Sequence, residues 1–464
     1  MTRIVIIGGG PGGYEAALVA AQLGAEVTMV EQEGPGGACV LTDCVPSKTL
    51  IATSVRKQAL HDAPSLGVSF TGGLDGDVGV AQVDLPLVNK RVKELAQAQS
   101  ADIATRVAAE GVEIVHGRGR LVDPRVVKVG ERTIRADVVL VATGATPRIL
   151  RGAEPDGERI LTWRQLYDLD TLPEHLIVVG SGVTGAEFAG AYRSLGCEVT
   201  LVSSRDRMMP NEDADAAEVL EEVYRRRGMN VMGRSRAASV KRTADGVLVT
   251  LEDGRVAEGS HALMTVGMVP NTGGIGLAEA GVELDRNGFV KVDKVSRTSA
   301  SGVYAAGDCT GVLMLASVAA MQGRIAVWHA LGEAVQPLRL ATVASNIFTD
   351  PEIAAVGVAQ RSIEAGEIEA NVVKLPLATN ARAKMQGFND GFVKLFCRPH
   401  TGIVLGGVVV APRASELILA VSVAVQQRLT VDQLAHTFAV YPSLSGSIPE
   451  AARRLMQPEA ALGL

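Results

Sequence analysis

The stretch that most constrains this chain is Gly8-Gly9-Gly10-Pro11-Gly12-Gly13, set between the apolar run Arg3–Ile7 and a helix-like segment from Tyr14 to Leu23. A second apolar run, Glu26 to Val30, follows and ends in the acid Glu31. Strand, G-x-G-x-x-G, helix, strand and acid, in that order, are the fingerprint of a dinucleotide-binding βαβ unit. Gly8 makes the tight turn, Gly10 lets the backbone approach a pyrophosphate at the helix N-terminus, and Gly13 lets helix and strand pack closely. Pro11 is counted with this loop, and Glu31 is placed to accept hydrogen bonds from a ribose. The pattern recurs with strand Leu176–Val179, the loop Gly180-Ser181-Gly182-Val183-Thr184-Gly185, helix Ala186–Leu195 and strand Glu198–Val202. Two fingerprints imply two dinucleotides; the alternative is a second fold that has lost its ligand.

A rarer pattern lies just past the first fingerprint, in Gly36-Gly37-Ala38-Cys39-Val40-Leu41-Thr42-Asp43-Cys44-Val45-Pro46-Ser47-Lys48. Here the chain resembles the flavoprotein disulfide reductases, among them lipoamide dehydrogenase, glutathione reductase and mercuric reductase. Their motif reads G-G-x-C-x-x-x-G-C-x-P-S-K, and its one departure here is Asp43 in place of a glycine. The resemblance implies FAD in the first fingerprint, NAD(H) or NADP(H) in the second, and a redox disulfide of Cys39 and Cys44 beside the flavin, with Gly37 and Ala38 next to it. It also implies that Thr143-Gly144, at the end of the run from Asp137, packs near FAD. Gly307-Asp308 is expected to reach the ribityl and pyrophosphate region, and Leu315-Ala316 to offer backbone contacts. His116-Gly117 and Gly267 are counted with the cofactor contacts. In the family a glutamate at the place of Glu187 pairs with the lysine of P-S-K, here Lys48; a cation there stabilises charge that develops in the reduced ring.

Composition bounds the rest. A chain of 464 residues is too long for one core, so about two to four domains are expected. Alternating strand and helix patterns with 51 glycines read as α/β. The expected architecture is two Rossmann-like dinucleotide-binding domains plus a C-terminal α+β interface domain. The expected limits are 1–150 for the FAD domain, 151–274 for the NAD(P) domain, 275–342 for the return to the FAD domain and 343–464 for the interface domain. The formal charge of −6 and aromatics of only 3% argue against a nucleic-acid surface. No apolar run is long enough to span a membrane, and the opening strand leaves no room for a signal peptide. Five cysteines, an odd number, suit a reducing compartment, so a cytoplasmic homodimer is expected. No metal site is expected. A Gly/Asp-rich connection, Gly67 to Gly79, precedes a helix-like stretch from Leu87 to Glu110.

The end of the second βαβ unit sets nucleotide choice. An acid there usually holds the ribose 2′-OH of NAD, but this chain has Ser203-Ser204-Arg205-Asp206-Arg207. Small hydroxyls at Ser203 and Ser204 leave room for a 2′-phosphate, and Arg205 or Arg207 is available to pair with it. NADPH is therefore the expected donor, with NADH also plausible.

The resemblance breaks at the C-terminus. The lipoamide and glutathione reductases carry H-P-T-x-x-E, whose histidine shuttles protons to the partner subunit's thiol. Here the segment is Tyr441-Pro442-Ser443-Leu444-Ser445-Gly446. Tyr441 replaces the histidine and Gly446 the glutamate; a tyrosine of pKa about 10 is a poor base near neutrality. His436 has no proline after it and is a weak substitute. Asp43 beside Cys44 is expected to disfavour a thiolate there, leaving at most a weak charge-transfer band at neutral pH. The terminal Ala460-Ala461-Leu462-Gly463-Leu464 lacks the cysteine pair of mercuric reductase and the large thioredoxin reductases. Positions serving disulfide exchange have changed, while those serving the nucleotides have not. The reading that follows is an NAD(P)H:quinone oxidoreductase with catalytic positions Cys39, Cys44, Lys48, Glu187 and Tyr441. The runner-up is a disulfide reductase with an unusual proton donor, and the reading of another class is a nucleotide-sensing or partner-binding flavoprotein with little turnover.

Overall fold

The computed structural model describes residues 1–68 and 81–456. Most of the Gly67–Gly79 connection and all of Ala460–Leu464 lie outside them. The first sheet has five parallel strands in the order Val303–Ala305, Val138–Val141, Arg3–Ile7, Glu26–Glu31, Glu113–His116. Its central strand, Arg3–Ile7, is buried at four successive positions, as a parallel strand covered on both faces must be. One face packs Val5, Ile7, Val139 and Val141 on a three-stranded antiparallel layer through Leu121, Val127 and Val129. The other packs Ile4, Ile6 and Met29 on helix Pro11–Gln22. That helix opens with Pro11, where a missing N–H costs nothing.

The second sheet repeats the plan with strands Asn230–Met232, Glu198–Val202, His175–Val179, His261–Met264 and Ile160–Leu161, all parallel. Strand Met268–Pro270 pairs antiparallel with Ala145–Pro147, tying the two connections between the sheets together. The third sheet is antiparallel, in the order Ala344–Ile347, Glu352–Gly357, Val404–Ala411, Phe392–Cys397, Asn371–Pro376. Helices Ala414–Gln427 and Ser447–Leu455 cover one of its faces through Ile418, Val421, Ile448 and Ala452. Its other face joins the core of the second unit, where Ile347, Ile353, Phe396 and Val410 share one cluster with Phe188, Tyr192 and Tyr224. Among the described residues no helix is long and apolar enough to cross a membrane.

Candidate active site

Both glycine loops are built alike. Gly8 has φ +107° and Gly180 φ +117°, a left-handed backbone that favours glycine. A Cβ at Gly8 would strike the Ala142 carbonyl, and one at Gly180 the Thr265 carbonyl. Nothing lies within 4 Å of a Cβ built at Gly10 or Gly182, so each of these backbones faces open space. Gly13 and Gly185 each close on the carbonyl of the loop's first glycine.

A cavity of about 510 Å³ runs from the first loop to the cysteines. It gathers Gly8, Gly10, Pro11, Glu31, Gly37, Ala38, Cys39, Cys44, Gly117, Thr143, Gly144, Gly307, Asp308 and Ala316 from stretches spread along the chain. Gly13 lies beneath its loop; Leu315, the N-cap of helix Ala316–Ala330, and Gly267 are not among the lining residues. His116 ends its strand exposed, outside the lining, and the following Gly117, within the lining, donates to the Glu31 carbonyl (2.8 Å). The Glu31 carboxylate is held by backbone N–H groups of Gly9, Gln32 and Glu33. The Thr143 hydroxyl is buried beside the Cys309 thiol. Sequence reasoning missed Arg118, Arg164 and Asn271 in the lining. Only Asn271 carried a signal, in its Val-Pro-Asn context; its amide donates to the Thr143 carbonyl (2.9 Å).

Cys39 and Cys44 are both thiols in the structure. Helix Gly37–Leu41 carries the first and helix Cys44–Asp62 begins with the second. The Cys39 thiol hydrogen-bonds to Cys44 and lowers the Cys44 pKa, against burial and Asp43, which raise it, and with Lys48 helping to lower it. Cys39 is pushed far up by the same hydrogen bond, by burial and by the neighbouring negative charges. The two thiols titrate as a pair, with the shared hydrogen bond and Lys48 favouring a first thiolate and burial and Asp43 opposing it. Asp43 acts with the sign expected from its charge. Asp43 itself is raised by burial, with Lys48 pulling it back. Asp308 is pushed up to about 6 by burial and by Asp43.

Lys48 Nζ donates to Glu187 Oε2 at 2.8 Å. The other carboxylate oxygen accepts from the Phe348 backbone N–H, also at 2.8 Å. The Phe348 ring lies under the ammonium, 4.9 Å from nitrogen to centroid. Burial pulls the Lys48 pKa down, but Glu187, Cys44 and Asp43 outweigh it, and the net direction is up. One ion pair thus joins the helix after the cysteines, the helix of the second fingerprint and the third sheet.

At the second fingerprint the structure separates residues that the sequence grouped. Ser203 is fully buried, and its hydroxyl is taken by Ser181 Oγ (2.7 Å) and by the Arg205 backbone N–H (3.1 Å). It is thereby tied to the glycine loop of the second fingerprint. Ser204, Arg205 and Arg207 are exposed. Tyr441 is 85% exposed and next to two further exposed apolar residues, Phe438 and Val440. Gly446 is the N-cap of helix Ser447–Leu455. His436 is exposed and bonded to the Asp432 carbonyl of its own turn. None of the three lines the cavity.

Two dinucleotide folds, with a dithiol between the first loop and a buried ion pair, define a pyridine-nucleotide-linked redox protein. Comparison with known proteins makes this specific. Residues 2–323 match the pyridine nucleotide-disulphide oxidoreductases, and residues 343–452 match the dimerisation domain of the same enzymes. The chain belongs to this family. An NAD(P)H dehydrogenase (quinone) of Mycobacterium tuberculosis is 60% identical, with 98% of this chain and 94% of the relative covered. A dihydrolipoyl dehydrogenase of Chlorobaculum parvum is 33% identical, with 98% and 97% covered. The crystal structure of LpdA from Mycobacterium tuberculosis superimposes with a TM-score of 0.93 at 60% identity, covering 98% of this chain and 100% of that one. The family implies flavin and NAD(P), and the cavity suits a flavin nucleotide: bare backbone at Gly10 and an anchored carboxylate at Glu31 line it.

Proposed function

We propose that this chain is a homodimeric, cytoplasmic NAD(P)H:quinone oxidoreductase that uses FAD. The observation that carries the reading is a division within the structure. The cavity, the dithiol and the Lys48–Glu187 pair are intact, while the segment that would handle protons for disulfide exchange ends in Tyr441 and Gly446. The name of the 60% identical relative supports it. Bound FAD supplies hydride acceptance from NAD(P)H and onward electron transfer. In the cavity, Glu31 and Asp308 orient the ribose and ribityl hydroxyls, and Gly10 admits the pyrophosphate. Lys48, held by Glu187, places a fixed cation at the ring end. Ser204 and Arg205 take the 2′-phosphate of NADPH at the second loop. Three further cysteines, Cys197, Cys309 and Cys397, are buried and unbridged, which suits a reducing compartment. The exposed Phe438, Val440 and Tyr441 supply an apolar face for a second copy.

The alternative, reduction of an unusual disulfide, is favoured by one observation, the lowered Cys44 pKa within an intact dithiol. Steady-state turnover decides between them. Small benzo- and naphthoquinones are expected to be reduced with NADPH at least as well as with NADH, and lipoamide and glutathione disulfide poorly. Lipoamide reduction at rates ordinary for the family would refute the proposal.

A further inference from the structure

Asp43 is the one position of the cysteine motif that departs from the family pattern, and its setting is unusual. The carboxyl lines the cavity together with Cys39 and Cys44. It occupies the N-cap of helix Cys44–Asp62, yet its side chain makes no capping bond, although an aspartate there normally accepts one. The groups that face it come from every neighbouring element. They are Lys48 on the same helix, Glu187 on helix Val183–Leu195, Arg164 on helix Trp163–Leu166, Tyr167 just beyond that helix, Asp308, and the two thiols. No histidine lines the cavity.

Quinone reduction needs a proton from somewhere. We propose that Asp43 is the proton donor to the quinone, a role filled from within the subunit; this rests on the quinone reading above. The balance is complete. The quinone gains two electrons and two protons. NAD(P)H supplies both electrons and one proton as hydride. The Asp43 O–H bond breaks to give the second proton to a quinone oxygen, and water reprotonates the carboxylate. An ordinary aspartate, with pKa about 3.9, would hold almost no proton near neutrality. Burial raises this one, so the acid form persists to higher pH. The sign follows: the acid form is the active one, so the step slows as pH rises through the Asp43 titration.

The test uses holoenzyme reduced with one equivalent of NADPH and mixed rapidly with a benzoquinone across pH. Wild type is expected to slow on the alkaline side. Asp43→Asn should lose about 10²-fold with that limb abolished, and Asp43→Glu should restore much of the rate. Asp43→Gly, the residue of the family pattern, guards against misfolding of the other variants and should behave as Asp43→Asn does. A second readout is the infrared carbonyl band of protonated carboxyls in the resting enzyme, which should lose one titrating component in Asp43→Asn. An Asp43→Asn enzyme with the wild-type rate and pH limb overturns the proposal, as does an unchanged infrared titration. Wild type inert toward every quinone ends the quinone reading and this one together; brisk quinone turnover with an unaltered Asp43→Asn ends this one alone.

Discussion

Glu187→Ala should be among the most damaging single changes in this protein. The carboxylate is 4% exposed and makes two 2.8 Å bonds, one to Lys48 and one to the Phe348 N–H. Truncation strands an ammonium and a backbone donor together. Breaking a buried pair by removing one partner costs about 3–5 kcal/mol. The Lys48 side chain keeps 29% exposure, and water reaching it puts the cost near the lower end, about 3 kcal/mol. Glu187→Gln keeps an acceptor for Phe348 but removes the charge, so about half of that loss is expected. Because three structural units meet at this pair, the loss should appear as separation of their unfolding transitions. Reversible urea unfolding followed by tryptophan emission and flavin release reads both. Lys48 should respond too: with Glu187 neutral, burial dominates and its pKa falls. Flavin reduction by NADPH in Glu187→Gln should then fade toward high pH sooner than in wild type. An Glu187→Ala enzyme within about 0.5 kcal/mol of wild type, the range of an ordinary surface change, would refute the reasoning.

Arg205→Ala should raise the KM for NADPH about tenfold, the low end for a charged hydrogen bond at an exposed site, and leave NADH unchanged; equal effects on both would remove Arg205 from the phosphate. Ser203→Glu should destabilise the second unit rather than cleanly switch preference, since a carboxylate would enter a fully buried, fully bonded position; thermal denaturation of the variant checks it. In two-electron-reduced enzyme a thiolate on Cys44 should give a long-wavelength charge-transfer band that grows as pH rises and fades as pH falls through a titration shifted below that of a free thiol, as a spectrophotometric titration would record. Tyr441→His with Gly446→Glu should raise lipoamide turnover in the wild-type background and not in Cys39→Ser, while Cys39→Ser alone keeps most quinone turnover.

What the sequence revealed and what it hid divide on physical lines. The glycine loops were legible because their constraints are local: a left-handed backbone at Gly8, and closure of Gly13 on the Gly8 carbonyl, require glycine at fixed spacing. The helices and strands around them follow from apolar runs that a parallel sheet must bury. The Lys48–Glu187 pair, with its partners on two different helices, was reachable only through resemblance, since no local rule links residues that far apart. Ser203 shows the reverse failure. Its residue type suggested an open phosphate site, but Ser181 and the backbone of Arg205 claim its hydroxyl, a fact of tertiary contact.

The two surprises at the cysteines come from one cause. A carboxylate beside a thiol raises its pKa when the two are considered alone, and Asp43 does act in that direction. The net sign is decided by a third and a fourth group: the Cys39 thiol, which donates to the thiolate, and Lys48, which faces it. The same enclosure that leaves Asp43 without a bond partner raises its own pKa. So a substitution that looks, in sequence, like damage to a thiol site places a carboxyl of raised pKa beside the two thiols in a cavity without a histidine. Loss of the partner-borne histidine and gain of an internal acid are then compatible changes. The first removes proton delivery to an outside disulfide, and the second supplies it to an acceptor small and flat enough to reach the cysteine end of the flavin cavity.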